Sequence, residues 1–208
     1  MQESGRIGSV VGIGGVAAPE DWARAEHYRL LGRLLAAPAD AGMLEVCAGL
    51  EGGDTPIGRA LAALAEQAAL ASPEAVRDEF FALFIGIGRG ELLPYASYYL
   101  TGFLNERPLA KLRVDMARLG IEREASVKEP EDHIAALCEM MAGLITGAFA
   151  YPLDLAGQRA FFDAHLGGWA QRFFADLEAA KGARLYHPVG TLGREFLGIE
   201  VAAFEMAA

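Results

Sequence analysis

Cysteine is scarce in this chain: 208 residues hold only Cys47 and Cys138. Two thiols so far apart exclude a disulfide framework and a CxxC metal site. Each reads as a small buried apolar side chain in a reducing compartment. Basic charge is scarce too, with 18 Lys and Arg against 28 Asp and Glu and a formal net charge of −10. That balance disfavours non-specific binding to nucleic acid or an anionic membrane, both of which need clustered cations, and favours basic partners. The opening segment has no basic stretch followed by a long apolar run, so no secretory signal is expected. The most apolar stretch, residues 134–151, contains Glu139 and is ended by Pro152, so a buried helix is expected there and not a membrane span. The expected location is the cytosol.

Strand alternation is missing as well. The nearest candidate, GSVVGIG at 8–14, is short and broken by glycine, and residues 1–20 read as a flexible leader. No fixed-period repeat occurs. Metal motifs are absent: none of His27, His133, His165 and His187 has an acid three residues before it, and there is no HExxH. No metal site is expected. The glycines Gly86, Gly88 and Gly90 resemble a phosphate loop only superficially. A dinucleotide fingerprint needs a strand before it and a helix opening on it, whereas here a helical stripe precedes and Pro94 follows.

What is present is helical periodicity. Tyr28, Leu31, Leu34 and Leu35 form one face of a helix over 22–36 that Pro38 stops. A second helix is predicted over 55–71, and a third from Pro73 with Ser72 as cap and a stripe of Val76, Phe80, Leu83, Phe84 and Ile87. In the fourth, Asn105 is the expected cap, and Gly120 with Ile121 forms a Schellman end. Residues 130–150 form a fifth, Phe162 to Leu177 line a sixth bent near Gly167–Gly168, and Leu192, Phe196, Ile199 and Ala203 line the last. The expected fold is an all-α single-domain bundle of about seven or more helices, spanning residues 21–208.

Two polar concentrations interrupt the pattern. LLPYASYYL (92–100) follows an aromatic helix end with Pro94, Tyr95, Ser97, Tyr98 and Tyr99, which reads as a packed turn or as an aromatic-lined groove. VKEPEDHIAALCEMM (127–141) reads as a helix start with Pro130 in the first turn, or as a ligand site built from Asp132, His133 and Glu139. Three functions remain open on the residues alone: a peptide-binding module, a small helical enzyme or nucleotide-responsive regulator using Asp132, His133 and Glu139, and a structural adaptor.

The two stretches in this order resemble the TorD/DmsD/NarJ family of redox-enzyme maturation chaperones. The matching residues are Leu83, Phe84 and Gly86, then Pro94, Ser97 and Tyr99, then Glu129, Pro130, Asp132, His133 and Glu139. The resemblance implies a cytosolic, all-helical, cofactor-free chaperone that is not an enzyme. Its partner would be the precursor of a molybdenum or tungsten oxidoreductase, held through its twin-arginine signal peptide until cofactor insertion. No nucleic acid or stable membrane association is implied, and the chaperone would be a monomer or homodimer. Asp132 and Glu131 are then expected to meet arginine. Phe84, Tyr95, Tyr98 and Tyr99 are expected to wall the apolar segment, with Gly86, Pro94 and Ser97 shaping the loop, His133 positioning backbone and Glu139 nearby. Phe80 is expected in the core. The stretch SYYLTGFLNERPL (97–109) resembles the branch that accompanies formate dehydrogenases.

Overall fold

The computed structural model describes residues 18–124, 127–149 and 152–206. Among these the chain is helical throughout: α1 (Pro19–Ala36), α2 (Ala41–Ala48), α3 (Pro56–Leu70), α4 (Pro73–Phe80), α5 (Ala96–Thr101), α6 (Arg107–Leu119), α7 (Ile134–Thr146), α8 (Leu155–His165), α9 (Ala170–Ala179) and α10 (Tyr186–Met206). The chain packs as a bundle in which α1 lies on α7, and α10 lies on α9 and α3. Gly32 allows the closest approach of α1 to α7. A Cβ there would stand 3.3 Å from both the Ala135 carbonyl oxygen and Glu139 Cγ. Both cysteines are buried and free.

The predicted stripe of α1 is inside, as are Phe162, Leu166, Trp169, Phe173 and Leu177. Several local expectations are corrected. α1 already begins at Pro19, so the predicted leader boundary falls inside a helix; residues 1–17 lie outside the described residues. Two short helices, α2 and α5, arise where the periodicity was too brief to signal them. The bent sixth helix is two helices, because the chain turns at Leu166–Trp169. Asn105 does not cap α6: it has φ +58°, and the N-cap Glu106 makes no side-chain cap bond. The Schellman end of α6 does form, with Ile121 N–H donating to the Met116 carbonyl at 2.9 Å. In α10, Ile199 is exposed and Ala203 half-buried, while Leu197, Glu200 and Phe204 complete the buried stripe.

α4 runs into one π-helical turn, Phe81–Ile85, closed by the Gly86 N–H donating to the Phe81 carbonyl at 2.7 Å. Leu83 and Phe84 stay buried within this turn, but the helix ends at Ile85, so Ile87 lies beyond Gly86 outside the predicted stripe and is fully exposed. Gly86 sits at φ +65°, and a Cβ there would meet the Arg89 carbonyl at 2.1 Å. The glycines therefore end a helix and start a turn, as their surroundings predict.

One buried polar network ties the first helix to the last. Arg24 Nε and Nη2 donate to the two Glu200 carboxylate oxygens at 2.7 and 2.8 Å, and Tyr28 donates to Glu200 at 3.0 Å. Glu200 is 1% exposed, and its buried carboxylate is met by all three of these donors. Glu200→Ala leaves the buried Tyr28 hydroxyl without its acceptor and Arg24 with only Asp21 and Gln158. It is expected to lower the unfolding free energy by about 3 kcal/mol, read as a reduced urea midpoint at unchanged slope.

Candidate functional site

The tyrosine turn and the start of α7 are stitched together. The Ile134 N–H donates to the Pro94 carbonyl at 2.8 Å, and the Ala96 N–H donates to the Asp132 carbonyl at 3.0 Å. Between them Tyr95 and His133 form an isolated antiparallel bridge. Asp132 Oδ2 accepts from the Ser97 N–H at 2.8 Å. α5 has no side-chain cap of its own, so Asp132 supplies one from across the seam. The start of α7 is capped by His133, whose Nδ1 accepts from the Ala135 N–H at 3.1 Å. A backbone amide only donates, so Nδ1 is unprotonated and the neutral ring carries its proton on Nε2. Burial pushes the His133 pKa down to about 4, against the opposing pull of Glu129 and Asp132.

This geometry corrects the expected helix start. α7 begins at Ile134, so Pro130, Glu131 and Asp132 form a turn before it instead of its first helical turn. Asp132 and Glu139 consequently do not share a helix face.

On one side of the seam lies a cleft of about 350 Å³. Its apolar walls include Met116 and Ile121 from the end of α6, Ala136 and Met140 from α7, and Val127 and Phe149. Its polar lining holds five glutamates, Glu122, Glu124, Glu129, Glu131 and Glu139, against one arginine, Arg123. Glu131 already has cations. Arg113 donates to its Oε2 through Nη2 at 2.8 Å and Nε at 3.1 Å, and Arg123 Nη1 lies 3.6 Å from Oε1. Burial raises the Glu131 pKa, but Arg113 and then Arg123 outweigh it and hold the carboxyl below the ordinary range. Glu139 goes the other way: burial and then the negative charge of Glu124 raise its pKa.

The predicted site residues divide. Glu131, His133 and Glu139 line the cleft. Tyr95 stands at its rim, edge-on to the His133 ring at 5.1 Å and donating to Glu129 at 2.5 Å. Asp132 is 1% exposed and faces the opposite way, toward Ala96, Leu112, Leu137 and His165. It braces the seam, and no arginine from outside can meet it while the seam is closed. Ser97 is buried, its Oγ accepting from the Glu106 N–H at 3.2 Å. Pro94 is buried beneath the turn. Tyr98 and Tyr99 line a separate groove with Arg89, Arg172 and Asp176. Arg89 donates to the Tyr98 hydroxyl at 2.6 Å, and Tyr99 donates to Asp176 at 2.9 Å. Phe84 belongs to the core, packed edge-on with Phe80 and Tyr186. Gly86 shapes the turn after the π-helix, away from the cleft.

Sequence reasoning missed most of the cleft wall: Met116, Ile121, Glu122, Arg123, Glu124, Val127, Met140 and Phe149. A usable signal was present in the acid density of 122–131, which holds Glu122, Glu124, Glu129 and Glu131. Met116 and Ile121 are buried at the end of α6 and at the same time border the cavity.

Asp132→Ala removes a buried acceptor and the remote cap of α5, and is expected to cost about 1–2 kcal/mol in urea unfolding. His133 gives a pH signature. The unfolded ring takes up a proton near pH 6.5, whereas the folded ring does so only at about 4. Stability contributed by this neutral residue is therefore complete above about pH 6.5 and is lost as the pH falls toward about 4. Urea midpoints across that window are expected to fall less steeply for His133→Asn than for the unaltered chain.

A family described as nitrate reductase delta subunit matches residues 50–175, more than half of the chain. Among similar curated proteins, the chaperone protein TorD of Vibrio cholerae serotype O1 (strain ATCC 39541 / Classical Ogawa 395 / O395) is 30% identical over 126 residues, 57% of each chain. The chaperone protein TorD of Aliivibrio salmonicida (strain LFI1238) is 32% identical over 103 residues, 46% of this chain and 48% of that protein. The chain thus spans about half the length of the curated relatives it matches. A crystal structure of a protein from Archaeoglobus fulgidus, described as a candidate redox enzyme maturation protein, superposes with a TM-score of 0.56 at 21% identity, covering 84% of this chain and 93% of that one. That likeness shows the shared all-helical fold. With its motif order, its fold and the match over residues 50–175 in agreement, the chain belongs to the nitrate reductase delta subunit family, the TorD/NarJ group of redox-enzyme maturation chaperones.

Proposed function

We propose that this chain is a dedicated cytoplasmic chaperone that grips the twin-arginine signal peptide of a molybdenum or tungsten oxidoreductase precursor and holds it while the cofactor is inserted. The observation that carries this reading is the cleft beside the seam. Its apolar walls and five glutamates against one arginine suit a segment that joins arginine to an apolar run. Such a ligand desolvates its apolar part against Met116, Met140 and Phe149 while its guanidinium stays paired with carboxylate. No described helix is long and apolar enough to cross a membrane, which fits capture before export. Among possible clients, the resemblance of residues 97–109 favours a formate dehydrogenase.

Isothermal titration of a synthetic peptide carrying two arginines before an apolar run tests the proposal. Binding is expected in the micromolar range, weakening as salt rises from about 50 to 300 mM because the pairing is partly exposed. A peptide with both arginines replaced by glutamine is expected to bind about tenfold more weakly or worse. Absence of binding by the arginine peptide overturns the reading.

A further inference from the structure

The cleft offers several carboxylates, but they are not equivalent as acceptors. Glu131 is bound by Arg113 on one oxygen and approached by Arg123 on the other. Glu129 accepts the Tyr95 hydroxyl. Glu139, in the second turn of α7, has no hydrogen bond or ion pair to any described residue, and is exposed to the cleft it lines. Its aliphatic stem lies against α1, where Gly32 leaves the room, so the carboxyl end is directed by packing as well as by solvation. A second group in the same cleft also awaits a ligand. His133 is 9% exposed, its Nδ1 is occupied by the Ala135 N–H, and its proton-bearing Nε2 has no partner among the described residues.

We infer that Glu139, and not Glu131 or Asp132, is the carboxylate that receives an arginine of the bound segment, making it the residue that sets the cleft's preference for a guanidinium. This rests on the peptide-binding reading above and deepens it. The reasoning is competitive. An arginine entering at Glu131 must displace Arg113 or Arg123 and gains little, since one ion pair replaces another. An arginine entering at Glu139 makes a pair where none existed and relieves the repulsion between Glu139 and Glu124. A lone acidic side chain on a surface would attract any cation, but here Met140 and Ala136 flank it, so the preferred ligand carries apolar surface next to its charge. The charged and titratable groups lining the same cleft are Glu122, Arg123 and Glu124 after α6, with Glu129, Glu131 and His133 before α7. Protonation of Glu139 removes its acceptor charge, so binding weakens as the pH falls, beginning above the range of an ordinary glutamate.

A double-mutant cycle tests the inference by titration calorimetry with the two peptides named above, one with two arginines and one with both replaced by glutamine. Glu139→Gln is expected to weaken the arginine peptide about tenfold while leaving the glutamine peptide unchanged within about twofold. Thermal unfolding of Glu139→Gln is expected to match or slightly exceed the parent, because the side chain has no partner to lose and its repulsion with Glu124 is removed. Glu131→Gln serves as the contrast, because it is expected to shift unfolding through Arg113 and Arg123 and to alter both peptides equally. If the unaltered chain binds the arginine peptide and Glu139→Gln binds it equally well, or weakens both peptides alike, the assignment of Glu139 is overturned while the peptide-binding reading stands. If the unaltered chain binds neither peptide, both fall.

Discussion

The seam between residues 94–97 and 132–134 fixes where everything else in the cleft stands. Three hydrogen bonds cross it, two between backbones and one from the Ser97 amide to the Asp132 side chain. Because Asp132 is buried and caps α5 from a distance, the turn cannot drift without exposing an amide and a carboxyl at once. His133 does the same for α7 from the next position. The two residues that look most like chemistry in the sequence thus have structural duties first. The cleft inherits its shape from them, since Glu131 on one side of the pair and Tyr95 on the other are held in place by the same bonds.

A related economy appears elsewhere in the molecule. Glu79 lies in the aromatic helix that leads to the π-turn, and its carboxylate accepts from the Arg184 and Tyr186 amides at 2.8 and 2.9 Å at the start of α10. Like Asp132, it caps a helix distant in sequence. An acidic chain is therefore not simply a chain with acidic surface. Glu79, Asp132 and Glu200 all act internally on amides, a hydroxyl or a guanidinium. The carboxylates of the cleft stand out by contrast, above all Glu139, because they surround a cavity and outnumber the cations there.

Much of the fold was legible because helical stripes are a one-dimensional signal. α1, α3, α6 and α7 follow from apolar spacing, and the Gly120–Ile121 end of α6 follows from one glycine and one apolar residue. What escaped depends on tertiary pairing. α5 has six residues and exists because Asp132 caps it, which no window of local sequence contains. Ile87 fell off its stripe because the helix stops at Ile85 and Gly86 turns the chain before it is reached. In the site, the seam's two halves were recognised as a pair, but their side chains were assigned to one face. Tyr98 and Tyr99 follow Tyr95 along a short helix and so point into a different groove, with Arg89 and Arg172. Phe84 sits on the inner side of its helix. Much of the cleft wall comes from the stretch after α6, whose local sequence does not reveal the apolar residues that folding sets beside its charges.

The Arg24–Glu200 pair also orders events in time. The partners are separated by 176 positions, so during synthesis α1 is made long before the carboxylate that neutralises it. Until residue 200 has left the ribosome, the Tyr28 hydroxyl lacks its acceptor, Arg24 keeps only Asp21 and Gln158, and the face of α1 bearing Leu31 and Leu34 lacks part of its cover. A nascent chain shorter than this therefore presents a face of α1 that the finished fold buries.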